Sequence, residues 1–329
     1  MGYLPLSDTV SVLTKASLFA KPLPDGGTIG ICSPASGVFR RSDVERGVEW
    51  WESHGYRVTV AAGTFSNDDW SAGAPEGRAR DLEALFADPE VDAVQVYRGG
   101  YGSAQLIPLL DFDLVAANPK PFVGFSDITA LHESIRQRTG LATFYGPGLH
   151  GVGDRNASAF TREQLLARLR GETGEVPRAP DDPYVRTLAP GRVTAPLIGG
   201  CLWLLAQTMG TPWEFRAEGA ILFFEDVNLP GWQLDGMLVQ LRAAGKLDGV
   251  VGVVAGEIAK SDFPEIRSGF PRVKSLEEVL ERRLAPFGVP ALYGLPLGHG
   301  RHLATIPLGV TYTLDADART LTVDEPAVR

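Results

Sequence analysis

Pro121-Phe122-Val123-Gly124-Phe125-Ser126-Asp127-Ile128-Thr129 reads as a buried strand running straight into a helix, with a Gly-x-Ser at the joint. Such a turn lifts a serine hydroxyl above the edge of a sheet and sets it at a helix N-terminus. There the free N–H of the next residue can stabilise an oxyanion. The second glycine of the usual nucleophile elbow is missing, because Thr129 and Ala130 follow. Helix capping by Ser126 fits this nonapeptide equally well.

Outward from that joint, strand and helix alternate in both directions. Upstream, strands are expected over residues 28–32, 57–62 and 91–97, with helices over 43–54 and 75–87. Apolar residues at helical spacing mark the helices (Val44, Val48 and Trp51; Leu82, Leu85 and Phe86), and Gly55 ends the first. Residues 127–138 form the helix after Ser126. Downstream, strands are expected over 219–224, 249–257 and 289–295, helices over 232–244 and 275–284, and a hairpin over 310–315 and 320–323. This alternation predicts an α/β fold with a mostly parallel sheet covered on both faces. The pattern lapses over 151–190, where Gly, Pro and charges scatter around one short helix near 162–170. The expected organisation is an extension (1–25), a first domain (26–150), a junction loop (151–190) and a second domain (191–329).

Bulk composition narrows the function. The 329 residues hold 44% hydrophobic and 22% charged side chains, with net charge −9 and no cluster of Lys or Arg. An acidic chain without a basic stripe argues against nucleic acid and against anionic membrane surfaces. No run of about 18 apolar residues predicts a membrane span. Two cysteines, Cys32 and Cys201, lie in separate segments without metal-ligand spacing, which fits a reducing compartment and predicts a cytoplasmic protein. Neither sits opposite a histidine at a helix start, so both are expected to be catalytically silent.

Three further stretches could carry chemistry. Tyr97-Arg98-Gly99-Gly100-Tyr101-Gly102-Ser103 leaves a strand and opens a helix, and its adjacent glycines let a backbone N–H approach a ligand. Its spacing is neither the dinucleotide fingerprint nor a P-loop. Ile221-Leu222-Phe223-Phe224-Glu225-Asp226 is an apolar strand ending in two carboxylates, which can face a cleft or cap the next helix. Gly298-His299-Gly300 places a histidine on a strand-exit loop. His54 and His132 fall inside helices and read as structural; His150 and His302 stay open. Serine, acid and histidine thus each stand at a strand exit, the set that amide hydrolysis requires. No His-Glu-x-x-His, Cys/His cluster or acidic constellation suggests a metal.

At this point the chain resembles the LD-carboxypeptidase family of serine peptidases, which includes muramoyl-tetrapeptide carboxypeptidases and microcin C immunity peptidases. The resemblance rests on residues 98–103, 124–129 with Leu131-His132, Gly199-Gly200, Phe224-Glu225-Asp226 and 294–299, and covers roughly residues 27–310. It implies a Rossmann-like, mostly parallel N-terminal domain and a smaller C-terminal β/α domain, with the active site between them. It implies Ser126 as nucleophile, His299 as general base and Glu225 as the orienting acid, with backbone N–H groups of Gly100 and Asp127 as the oxyanion hole. Arg98, Tyr101 and Asp226 are expected at the substrate.

The typical family reaction cuts an L,D bond of a murein tetrapeptide without a cofactor. A small peptide substrate and a homodimer are therefore expected. The alternatives are an immunity-type peptidase or amidase acting on peptidyl-nucleotides, and a non-catalytic module cradling an anion. The chain departs from the family where Cys201 follows Gly199-Gly200, and at Val227-Asn228-Leu229 and Asp235-Gly236. These positions are expected to shape the pocket rather than the chemistry. The junction loop also lacks tryptophan, leaving Phe160 and Tyr184 as stacking candidates for a nucleotide.

Overall fold

Thr28–Cys32 (β1) is buried along its whole length, as a strand covered on both faces must be. It opens an alternating series in the computed structural model, which describes residues 15–182, 184–261 and 274–329. The series runs through α1 (Arg41–Ser53), β2 (Arg57–Val60), α2 (Pro75–Ala87), β3 (Ala93–Val96), α3 (Phe112–Ala117), β4 (Phe122–Gly124), α4 (Thr129–Thr139) and β5 (Thr143–Tyr145). Helix α2 starts with Pro75 in its first turn, where the missing N–H costs nothing, and buries Leu82 and Phe86. Gly55 (φ +84°) and Gly140 (φ +75°) take the left-handed conformation that stops α1 and α4. Residues 126–128 form a single 3₁₀ turn ahead of α4. Neither α3 nor β5 was expected from the sequence.

The next stretch holds α5 (Leu149–Gly153), α6 (Ala159–Leu169), β6 (Gly174–Glu175) and β7 (Arg186–Ala189). Then come β8 (Arg192–Cys201), α7 (Leu202–Gln207), β9 (Ile221–Val227), α8 (Gly231–Ala243), β10 (Gly252–Ala259), α9 (Leu276–Leu284) and β11 (Ala291–Tyr293). The chain closes with β12 (Ile306–Leu308) and the hairpin β13 (Thr311–Asp315) and β14 (Thr320–Val323).

Two sheets result. The first has the order β12-β5-β4-β3-β1-β2, parallel except for β12. The second has the order β6-β14-β13-β8-β9-β10-β11-β7, with a parallel centre of β8 to β11. Strand β12, late in the chain, pairs with β5 of the first sheet and so ties the two halves together. One apolar core runs under the first sheet and across to β8 and β13; a second lies between the other sheet and α7, α8 and α9.

Of the segment expected as an extension, residues 1–14 lie outside the described residues. The remainder packs on the fold: Leu18 bridges Leu141, Ala20 bridges Val328, and Ala16, Ala20 and Leu23 are buried. No helix among the described residues is long and apolar enough to cross a membrane.

Candidate active site

The parallel strands β3, β4, β9 and β11 all point their C-terminal ends at one place, so the loops that leave them meet there. Ser126 follows β4 with φ +63°, a conformation strained for a residue with a Cβ. The neighbours make room for that strain. A Cβ on Gly99 would stand 2.9 Å from Ser126 Cβ, and one on Gly124 would stand 2.9 Å from Ile128. The Ser126 hydroxyl does not cap the following turn. It lies 2.9 Å from His299 Nε2, while His299 Nδ1 lies 2.6 Å from Glu225 Oε2.

Glu225 is fully buried two residues before the end of β9, and a carboxylate there must be bonded to be tolerated. Its second oxygen accepts from Tyr145 Oη at 2.6 Å, and the same Tyr145 oxygen accepts from the Ser126 N–H at 3.0 Å. Gly298 (φ +122°) brings the histidine loop against this acid, since a Cβ there would fall 2.2 Å from Glu225 Oε2. Burial alone would lower the pKa of His299, but the Glu225 charge and its hydrogen bond, helped by Asp226, carry it above the ordinary imidazole value. A hydroxyl, an imidazole and a buried carboxylate in this relay can pass the serine proton to nitrogen and stabilise the resulting cation.

The glycine loop is fastened to the serine turn. Asp127 Oδ2 accepts from the Ser103 N–H at 2.8 Å, and the Ser103 hydroxyl donates to the Asp127 carbonyl at 2.6 Å. Burial raises the Asp127 pKa despite the bonds from Ser103 and Gly102. Gly100 (φ +115°) turns over Ser36, whose oxygen accepts from the Tyr101 N–H and stands 2.3 Å from where a Gly100 Cβ would be. The Arg98 guanidinium lies over the Phe39 ring, 4.1 Å from its centre, and Tyr101 is 54% exposed. Asp226 faces away from Glu225 along the strand and spends both oxygens on backbone, accepting from Trp203 and Val227 N–H groups. Burial and the Glu225 charge push it up to about 6, although those two N–H groups pull the other way.

An open cleft of about 690 Å³ lies beside His299, with Phe125, Pro147, Glu257, Lys260 and Gly300 among its walls. Among the described residues no group of three or more His, Cys, Asp or Glu side chains could hold a metal. His132 is buried and bonds the Gly124 carbonyl at 2.8 Å; burial takes it down to about 4. His302 meets the Phe160 ring edge-on and stands beside Asp181. Both cysteines are buried and unpaired, and burial pushes both thiols up.

Three residues at the site escaped the sequence reading. Tyr145 ends the unread β5, although a β-branched and aromatic triplet before Gly146-Pro147-Gly148 is a strand signal. Thr129 bonds the Ser126 carbonyl at 2.7 Å and accepts from the Cys201 N–H at 2.9 Å, joining the serine turn to β8. Gly200 permits that contact, because a Cβ there would stand 2.5 Å from the threonine oxygen. Glu257 sits at the cleft with no sequence motif around it.

Family models agree with this architecture. The LD-carboxypeptidase N-terminal domain matches residues 29–146 and the LD-carboxypeptidase C-terminal domain matches residues 194–314. The chain belongs to the LD-carboxypeptidase family and is a serine-type carboxypeptidase, a hydrolase. Among its relatives, a protein of Streptomyces coelicolor provisionally named a carboxypeptidase is 43% identical over 263 residues, 79% of this chain and 80% of that one. The murein tetrapeptide carboxypeptidase of Pseudomonas aeruginosa is 33% identical over 303 residues, covering 89% and 95% of the two chains. The microcin C7 self-immunity protein of Escherichia coli is 30% identical over 339 residues, covering 94% and 96%. A solved structure of a microcin C7 self-immunity protein mutant with adenosine monophosphate superposes with TM-score 0.84 at 27% identity, covering 95% of this chain and all of that one.

Proposed function

We propose that the protein removes the terminal D-residue from murein-derived tetrapeptides by cutting an L,D peptide bond, with Ser126, His299 and Glu225 as the catalytic triad. The observation that carries this reading is the continuous relay from the Ser126 hydroxyl through His299 to buried Glu225, at 2.9 and 2.6 Å. In the acylation step His299 Nε2 takes the hydroxyl proton as Ser126 Oγ attacks the scissile carbonyl. The Nδ1–H, donated to Glu225, keeps the ring in the right tautomer and stabilises the imidazolium. The tetrahedral oxyanion falls to the backbone N–H groups of Gly100 and Asp127, each worth about 10²–10³-fold in turnover. His299 then gives its proton to the departing amino group. Water, activated by the same imidazole, hydrolyses the acyl-enzyme.

Tyr145 is a positioning residue in this scheme, because it holds the nucleophile's own N–H and the orienting acid with one oxygen. Two buried, unpaired cysteines fit work in the cytoplasm, where recycled peptidoglycan fragments would be met. The murein peptide is favoured over a peptidyl-nucleotide. Residues 150–190 carry no tryptophan, and Phe160 packs on His302, which leaves Tyr184 as the exposed aromatic among the described residues of that segment.

Incubation with murein tri-, tetra- and pentapeptides and with a peptidyl-nucleotide amide, read by product mass, tests the assignment. Loss of one D-alanine from the tetrapeptide is expected. Cleavage of the nucleotide amide with the tetrapeptide left intact would overturn it.

A further inference from the structure

Glu257 lies on β10, two residues before the strand ends, and lines the same cleft as His299. Its backbone N–H is bonded to the Leu297 carbonyl of the histidine loop at 2.9 Å. Its carboxylate is laid against Gly300, so closely that a Cβ there would stand 1.4 Å from Oε2. Gly256 allows β10 this near, because a Cβ on it would meet Leu297 O at 2.3 Å and Glu225 Cβ at 3.2 Å. Glu257 is thus anchored at the backbone while its charged end is left open to the cleft. Among the described residues no hydrogen-bond donor or cation is paired with that end. The contrast is with Glu225, whose two oxygens are both taken. Arg301, which follows Gly300 in the chain, is committed to Asp181 at 2.5 Å.

A half-buried carboxylate without a partner is costly, and a cation supplied by a ligand relieves that cost. We infer that Glu257 is a specificity-determining residue that receives a positively charged side chain of the peptide substrate. The inference rests on the peptidase reading above and deepens it, assigning one residue of this chain to substrate selection. Burial, with the charges of Asp182, Glu225 and Asp181, raises the acid to about 7. A bound ammonium would draw it back down, so the cation and the ionised carboxylate stabilise one another.

The probes are L-Ala-γ-D-Glu-L-Lys-D-Ala and the same peptide acetylated on the lysine side chain, which removes the charge. Affinities are measured by calorimetry in a Ser126→Ala background, where no turnover intervenes, with and without Glu257→Gln. The lysine peptide should bind the Ser126→Ala protein about tenfold or more tightly than its acetylated form, the scale of one charge-assisted hydrogen bond. That preference should shrink towards unity with Glu257→Gln and survive in part with Glu257→Asp, which also shows that the cleft is intact. An equal affinity for both peptides before Glu257 is changed, or a preference that survives Glu257→Gln undiminished, overturns the inference. Turnover by the unsubstituted enzyme is read separately. Binding selectivity without cleavage of either peptide would sink the peptidase reading and leave the cation subsite standing.

Discussion

Replacing Tyr145 by Phe deletes one oxygen at the point where the halves of the relay are joined. The ring stays, packed 5.2 Å from Phe223 and 6.2 Å from Phe125 between ring centres, so the apolar contacts survive. What is lost is the buried 2.6 Å bond to Glu225 and the part-buried 3.0 Å bond from the Ser126 N–H. A hydrogen bond to a charged group contributes about 1.5–3 kcal/mol, and an orphaned buried donor costs about 1–3 kcal/mol. The two overlap, and a net loss of ~2–4 kcal/mol follows. That corresponds to a melting temperature lower by roughly 5–10 °C. Glu225 released from one side and a serine turn released from the other should also lower kcat by about 10- to 100-fold, the toll of misplacing a reacting group. Differential scanning fluorimetry and steady-state kinetics on the cleaved peptide measure both. A Tyr145→Phe enzyme with unchanged melting temperature and kcat would refute the argument that this hydroxyl holds the site together.

The pH profile should report His299. As the proposed general base it must be neutral, and its pKa lies above the ordinary imidazole value, so kcat/KM should rise with pH through a midpoint above about 6.5. Glu225→Gln removes the charge that raises it and should move that midpoint down, with a fall in kcat; an unmoved midpoint would contradict the pairing. Gly100→Ala places a Cβ against the Ser36 oxygen at a φ of +115° and should push an N–H off the oxyanion, lowering kcat by about 10²–10³-fold with modest change in substrate affinity. Cys32→Ala and Cys201→Ala, tested singly, should keep peptidase activity wherever folding is intact, since both thiols are buried and held protonated.

The strands whose exits carry Ser126, Glu225 and His299 were legible because each is an apolar run that ends at glycine or charge. Period and punctuation both survive in a single sequence. The helix at 75–87 was legible for the same reason, with Pro75 marking its start. Two other short strands were not: Thr143–Tyr145 opens on a threonine and Ile306–Leu308 holds Pro307, and each finds the other as its partner at the edge of the first sheet. The ten-residue β8 was hidden by Pro196 and the paired Gly199-Gly200, residues that depress a strand reading. Yet those glycines are required where the chain passes Phe223 and Thr129 at contact distance. Tyr145 and Glu257 were invisible for a related reason: their roles come from tertiary neighbours rather than from local pattern. Asp226 shows the converse, a carboxylate that sequence places at the substrate and the fold spends on the backbone N–H groups of Trp203 and Val227.

The proposed mechanism depends on Ser126 as the nucleophile, and turnover by Ser126→Ala tests that role most directly. Steady-state kinetics on L-Ala-γ-D-Glu-L-Lys-D-Ala should show kcat lowered by at least about 10³-fold, while calorimetry shows affinity within a few-fold of the unsubstituted enzyme, because the proposed oxyanion donors are backbone groups that the substitution leaves in place. Near-normal turnover by a correctly folded Ser126→Ala enzyme would contradict the assignment of the triad.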